Sequence, residues 1–244
     1  MTSRAETPPA RTNRDAIGTA AAAIEPLLNR VVFTGRHVAD YLTTEWMERN
    51  TGSAFNYSAS VHVLCSGSLD RIASEMQQLG LERGARTATT ERFVVDARVT
   101  IEMEHVSGDE NDPAAIWLEY ASLLTMVAKL ERPAAPLSVR ITGAPALLAL
   151  GWSVYGESGE SPLDSAELED IITLTAGRAE LGRELTAAPP ELRAFVGQET
   201  RRFLAYDGAE HVIHAALPSA NRSAAMVGRV LERMRTFTTP ANGS

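Results

Sequence analysis

Apolar and polar positions repeat with two different periods along the chain, and the sharpest change of period falls between Val31 and Leu64. Val31-Val32-Phe33-Thr34 is a β-branched and aromatic run, and Gly35-Arg36 breaks it. His37 to Arg49 is amphipathic at helical spacing, and Ser60-Val61-His62-Val63-Leu64 alternates as a half-buried strand does. The pattern predicts strand, turn, helix and second strand. A crevice forms at the turn after the first strand, where backbone N–H groups and a helix N-terminus can hold an anion.

The remaining elements follow from the same reasoning. Asn13 to Leu28 predicts a first helix capped at Thr12 or Asn13. Gly67-Ser68 opens a helix over Leu69, Ile72, Met76 and Leu79 that ends at Gly80. After a polar loop, Arg92 to Val95 and Arg98 to Glu104 predict two strands joined tightly at Asp96-Ala97. In the second of these, Val99, Ile101 and Met103 share one face while Thr100, Glu102 and Glu104 share the other. An acidic loop from Ser107 to Pro113, a helix around Ile116 to Leu123, and strands at Thr125 to Leu130 and Leu137 to Ile141 come next. From Pro145 onward the pattern is helical. Ala144 to Tyr155 leads into a Gly/Ser/Pro loop, and Ser165 caps an acidic first turn, Glu167-Leu168-Glu169-Asp170. Pro189-Pro190 starts a helix to Leu204, and two more run around Asp207 to Leu217 and Asn221 to Phe237. The expected organisation is α+β: a loose tail over 1–12, a mixed-sheet domain over 13–142, and a packed helical segment over 143–240.

Charge narrows the functional classes. A net charge of −8 excludes a broad electrostatic grip on nucleic acid as the main function. Lys129 is the only lysine, so phosphate would be met by the planar fork of an arginine. Cys65 is the only cysteine and can form no disulfide within the chain, which makes a reducing, cytoplasmic setting the expectation. The alanines from Ala20 to Ala23 are too few to span a bilayer and run straight to Glu25, so no membrane partner is expected.

Three stretches carry a resemblance: Ser165-Ala166-Glu167-Leu168-Glu169-Asp170-Ile171-Ile172, Gly177-Arg178-Ala179-Glu180-Leu181 and Ala188-Pro189-Pro190-Glu191-Leu192-Arg193-Ala194-Phe195. In order and spacing they resemble the tail of the AbiEii-type nucleotidyltransferase-like family. The resemblance covers roughly residues 30 to 205 and implies a nucleotidyltransferase-like mixed β-sheet with packed helices, a nucleoside triphosphate and a divalent metal, Mg²⁺ or Mn²⁺.

The family's reactive positions are mostly replaced. Of its glycine pair after the first strand, Gly35 matches and Arg36 stands in the second place, where a long side chain crowds the approach yet offers a guanidinium. The two strand aspartates that would hold Mg²⁺ correspond to Ser60 and His62. Glu102 stands where a third carboxylate would activate the attacking hydroxyl, and the family's lysine falls at Gly151. Gly35, Arg36 and Ser60 are the candidate nucleotide pocket and Glu102 the candidate base. His62, Glu102 and Glu104 are the candidate metal ligands, since imidazole suits Zn²⁺ or Mn²⁺ better than Mg²⁺. The plain counter-readings are a polar sheet face left after catalysis was lost and a purely structural turn at Gly35.

His105 beside Glu104, and His211 with His214, read as solvated histidines. No Gly-x-Ser-x-Gly turn places a serine nucleophile. A purely structural reading makes the helices from Glu191 to Phe237 a docking surface for another subunit; beside it two functions remain. One is an impaired nucleotidyltransferase, a pseudoenzyme acting by nucleotide or protein-partner binding. The other is a divergent, toxin-like transferase moving a nucleotidyl group to RNA, protein or a small acceptor.

Overall fold

A computed structural model describes residues 13–43, 60–106, 115–131, 135–217 and 221–238. The N-terminal tail, the second half of the expected His37–Arg49 helix, the loop at Asn50 to Ser53 and the acidic loop from Ser107 to Pro113 lie outside the described residues.

Among the described residues seven strands form one mixed sheet: β1 (Val31–Thr34), β2 (Ser60–Cys65), β3 (Glu82–Arg86), β4 (Thr90–Val94), β5 (Thr100–His105), β6 (Thr125–Leu130) and β7 (Leu137–Thr142). Their order is β3-β4-β5-β2-β1-β7-β6. At the centre, β1 pairs antiparallel with β2, while β2 with β5 and β1 with β7 are parallel. The β4–β5 hairpin forms as expected, because the Asp96 carboxylate accepts from the amides of Arg98 and Val99 at 2.7 and 2.8 Å and fixes the turn. One face of the central strands is largely apolar: Val31, Phe33, Val61, Val63, Phe93, Ile101 and Met103 are all buried, with the carboxylate of Glu91 buried among them opposite Met103.

The helices are α1 (Asn13–Ala23), α2 (Arg36–Leu42), α3 (Leu69–Gln78), α4 (Ala115–Leu123), α5 (Ala144–Ser158), α6 (Ala166–Gly177), α7 (Leu181–Ala187), α8 (Pro190–Leu204), α9 (Ala209–Ala216) and α10 (Ala224–Phe237). Ser68 caps α3 and Ser165 caps α6, each accepting a backbone amide three residues on. α5 is apolar on every side and is accordingly buried from Ala146 to Leu150 and at Trp152.

Three elements differ from expectation. The first helix does not reach Leu28; it stops at Ala23 and resumes as a single 3₁₀ turn over Glu25–Leu27, because Pro26 has no N–H for the helical ladder. The polar loop before Thr90 contains β3, whose five residues are all exposed and so show no alternation. It exists through its pairing with β4, across a register shift between Arg83 and Arg86. A seven-residue helix, α7, fills what reads as a connection before Pro189.

The helical segment is tied to the sheet unit through α2. Arg36, at the start of α2, bonds into the first turns of α6. The carbonyl of Leu42, at its end, accepts from Arg178 just past α6 at 2.9 Å. The two helices therefore run side by side in one direction, clasped at both ends.

Candidate functional site

The polar face of the sheet collects the residues singled out from the sequence. Thr34 pairs with His62 across β1 and β2, His62 with Glu102 across β2 and β5, and Arg92 with Glu102 across β4 and β5. Side chains at paired positions point to the same face, so Ser60, His62, Glu102, Glu104 and Arg92 share it. Gly35 closes β1 above His62 with φ 73° and ψ −161°, backbone space that is essentially glycine's alone. A Cβ there would lie 3.4 Å from that of His62, so the constraint is the dihedral rather than the room.

Glu102 is not an open carboxylate. Its Oε2 accepts from the Ser60 hydroxyl at 3.2 Å and from the Arg92 guanidinium at 3.1 Å. Glu104 lies one step further along the strand, opposite Thr90 and Leu64. Burial pushes the His62 imidazole below its ordinary range, with Arg92 assisting and the carboxylates of Glu102 and Glu167 opposing, so the ring is neutral at pH 7.

These residues do not fit a divalent cation. A hard cation needs several anionic oxygens at close range, whereas Ser60 supplies a hydroxyl, His62 a half-buried imidazole, and Glu102 an oxygen already neutralised by a guanidinium. Among the described residues no group of three or more His, Cys, Asp or Glu is placed to hold a metal ion. Ser60, His62 and Glu102 share the face, but Glu102 is the centre of a hydrogen-bonded ion pair, accepting from Arg92 and Ser60, with His62 beside it in register.

Across the turn, Arg36 is also engaged. Its Nε donates to Asp170 Oδ1 at 2.9 Å, and its Nη2 to Glu169 Oε2 at 2.8 Å and to the Ala166 carbonyl at 3.2 Å. Burial alone would lower the guanidinium, but Asp170 and Glu169 outweigh it and the net shift is upward. Burial drives the Asp170 carboxyl up to about 7, with Asp40 and Glu169 adding to it and Arg36 only partly offsetting them. Glu169 is raised as well, chiefly by burial. Gly35, Gly151 and Asp170 line a small cavity between α2, α5 and α6, of about 50 Å³. Gly151 faces Ile171, whose Cγ1 would stand 3.1 Å from an added Cβ.

Two sets of partners were not singled out as site residues from the sequence. The expected turn places Arg92 one position off: counted outward from Asp96-Ala97 it would face Ile101, but the turn holds three residues, Asp96, Ala97 and Arg98, with Val95 bonded to Val99, and this sets Arg92 opposite Glu102. Glu169 and Asp170 read as helix-start carboxylates, and no spacing rule connects them with Arg36, 133 and 134 positions away. Cys65 is a core residue, 1% exposed. Burial raises its thiol to about 11 and keeps it protonated, which removes it as a nucleophile.

The sheet and its helices define an α+β fold, a seven-stranded mixed sheet with helices packed on it and a helical segment following. No family model and no curated protein matches the chain. Among solved structures, the crystal structure of JHP933 from Helicobacter pylori superposes with a TM-score of 0.50 at 10% identity, covering 94% of this chain and 93% of that one. A putative nucleotidyltransferase from H. pylori gives 0.49 at 9% identity, over 94% and 96% of the two chains. An antigenic nucleotidyltransferase-like protein from Paracoccidioides brasiliensis gives 0.47 at 13%, over 84% and 93%. At such identities the likeness is one of fold, and no activity follows from it. Among the described residues no helix is long and apolar enough to cross a membrane.

Proposed function

We propose that this chain is a nucleotidyltransferase-fold protein, of AbiEii-type descent, that has lost metal-dependent transfer and acts by binding a nucleotide or a protein partner. The observation that carries this is the state of Glu102. The carboxylate at the position of the catalytic base is bonded to Arg92 and Ser60. To abstract a proton its Oε2 would have to give up its bonds to the Arg92 guanidinium and the Ser60 hydroxyl. The replacement of both strand aspartates by Ser60 and His62 supports the same conclusion, since a transfer reaction needs the developing charge on the triphosphate neutralised. In the binding role, Arg36 is the phosphate-facing cation, with Gly35 and Ser60 beside it.

The test is incubation of the full chain with each labelled nucleoside triphosphate, Mg²⁺ or Mn²⁺, and total tRNA or protein. Wild type and Glu102→Gln are both expected to transfer no label above background. Transfer by wild type that disappears in Glu102→Gln would establish the divergent transferase instead, with Glu102 as its base.

A further inference from the structure

We propose that the first turns of α6 act as a built-in occupant of the nucleotide hollow: Glu169 and Asp170 hold Arg36 as the phosphates of a ligand would, and a polyphosphate binds by displacing them. This rests on the nucleotide-binding reading above and supplies its regulation. A guanidinium recognises carboxylate and phosphate with the same planar fork. In Arg36 that fork is taken, by Asp170 at Nε and by Glu169 and the Ala166 carbonyl at Nη2. The contact crosses from α2 to α6: Asp170 lines the small cavity with Gly35 and Gly151, while Arg36, Glu169 and Ala166 line a larger one of about 200 Å³, and only 24% of the Arg36 side chain remains accessible. A phosphate reaching the turn at Gly35 therefore meets the α6 carboxylates first.

The occupant is built to be displaced. Asp170 faces Arg36 and Asp40 from α2 and Glu169 from its own helix, while the α5 residues at the cavity, Leu147, Leu148 and Gly151, carry no charge. Glu169 faces Arg36 and Asp40 and, from the turn before α10, Arg222. Carboxylates outnumber the guanidinium they hold, and burial adds to the crowding. The Asp170 carboxyl accordingly takes up a proton near neutrality. Protonation removes its charge and leaves Arg36 freer for an incoming anion, so occupancy by ligand should rise as pH falls from 8 to 6.

Calorimetric titration with metal-free ATP tests this on wild type, Asp170→Asn and Asp170→Asn/Arg36→Gln, with circular dichroism confirming the fold of each. At pH 8, Asp170→Asn should bind about tenfold tighter than wild type, and Arg36→Gln should cancel the gain. Between pH 8 and 6 wild type should gain affinity relative to Asp170→Asn; the nucleotide's own titration is common to both. A second measurement needs no ligand: the rate of phenylglyoxal modification at Arg36, followed by peptide mass spectrometry, should rise several-fold in Asp170→Asn. Wild type that binds ATP while Asp170→Asn binds no tighter would overturn the proposal. So would a gain that survives Arg36→Gln, or an Arg36 equally reactive in both proteins. No ATP binding in any variant, with Arg36 nonetheless unmasked, would instead sink the nucleotide-binding reading and leave the clamp standing.

Discussion

Arg178→Ala is expected to destabilise the protein by about 3 kcal/mol, within the range for removing one partner of a buried ion pair. Arg178 is 9% exposed. Its Nε and Nη2 donate to the two oxygens of Glu184 at 2.7 and 2.6 Å, and its Nη1 donates to the Leu42 carbonyl at 2.9 Å. Alanine would strand a carboxylate and a helix-end carbonyl together, and each loses more than a single hydrogen bond's net worth when buried without a partner. At about 2–4 °C per kcal/mol for a chain of this size, the melting temperature should fall by roughly 6–12 °C. Arg178→Lys should recover only part of the loss, since an ammonium cannot reproduce the two-pronged contact. A cost below about 1 kcal/mol in urea denaturation, the scale of an exposed pair, would show that α2 is not fastened to the helical segment at this end.

The second large effect concerns pH. The Asp170 carboxyl lies at about 7 in the folded chain against an ordinary 3.8, so the folded state holds a proton that the unfolded state releases. Stability from this group is therefore fully present below about pH 4 and is lost as pH rises towards the folded value. A full shift of that size is worth at most about 4 kcal/mol. Because 28% of the side-chain surface still meets solvent, we expect about 2 kcal/mol between pH 5 and 8. Asp170→Asn should flatten the stability profile by that amount relative to wild type. Equal slopes for the two proteins would place the Asp170 carboxyl back in the ordinary range.

Most of the frame was legible in the sequence because its signals are local. The β-branched run at Val31, the alternation from Ser60 to Leu64 and from Val99 to Met103, and the serine before an acidic turn at Ser165 each declare an element within a few residues. β3 was not legible, because Glu82 to Arg86 buries nothing and exists only by pairing with β4. The site divides along the same line. Strand period sets Ser60 with His62 and Glu102 with Glu104 on the faces of their own strands, but the β2–β5 register joins the two strands, and the state of Glu102 depends on Arg92 across a hairpin. The state of Arg36 depends on two carboxylates of a distant helix. Residue type shows that Ser60 and His62 bring no carboxylate to this face; only the fold shows that Glu102 is bonded to Ser60 and Arg92.

The claim that Glu102 belongs to an ion pair rather than to a metal is tested most directly by titrating Mn²⁺ into the full chain and following the free-ion signal by electron paramagnetic resonance, with and without ATP. The free Mn²⁺ signal is expected to be unchanged by the protein alone and, with ATP, to fall no further than the nucleotide itself lowers it. A protein-dependent loss of signal that Glu102→Gln abolishes would contradict it.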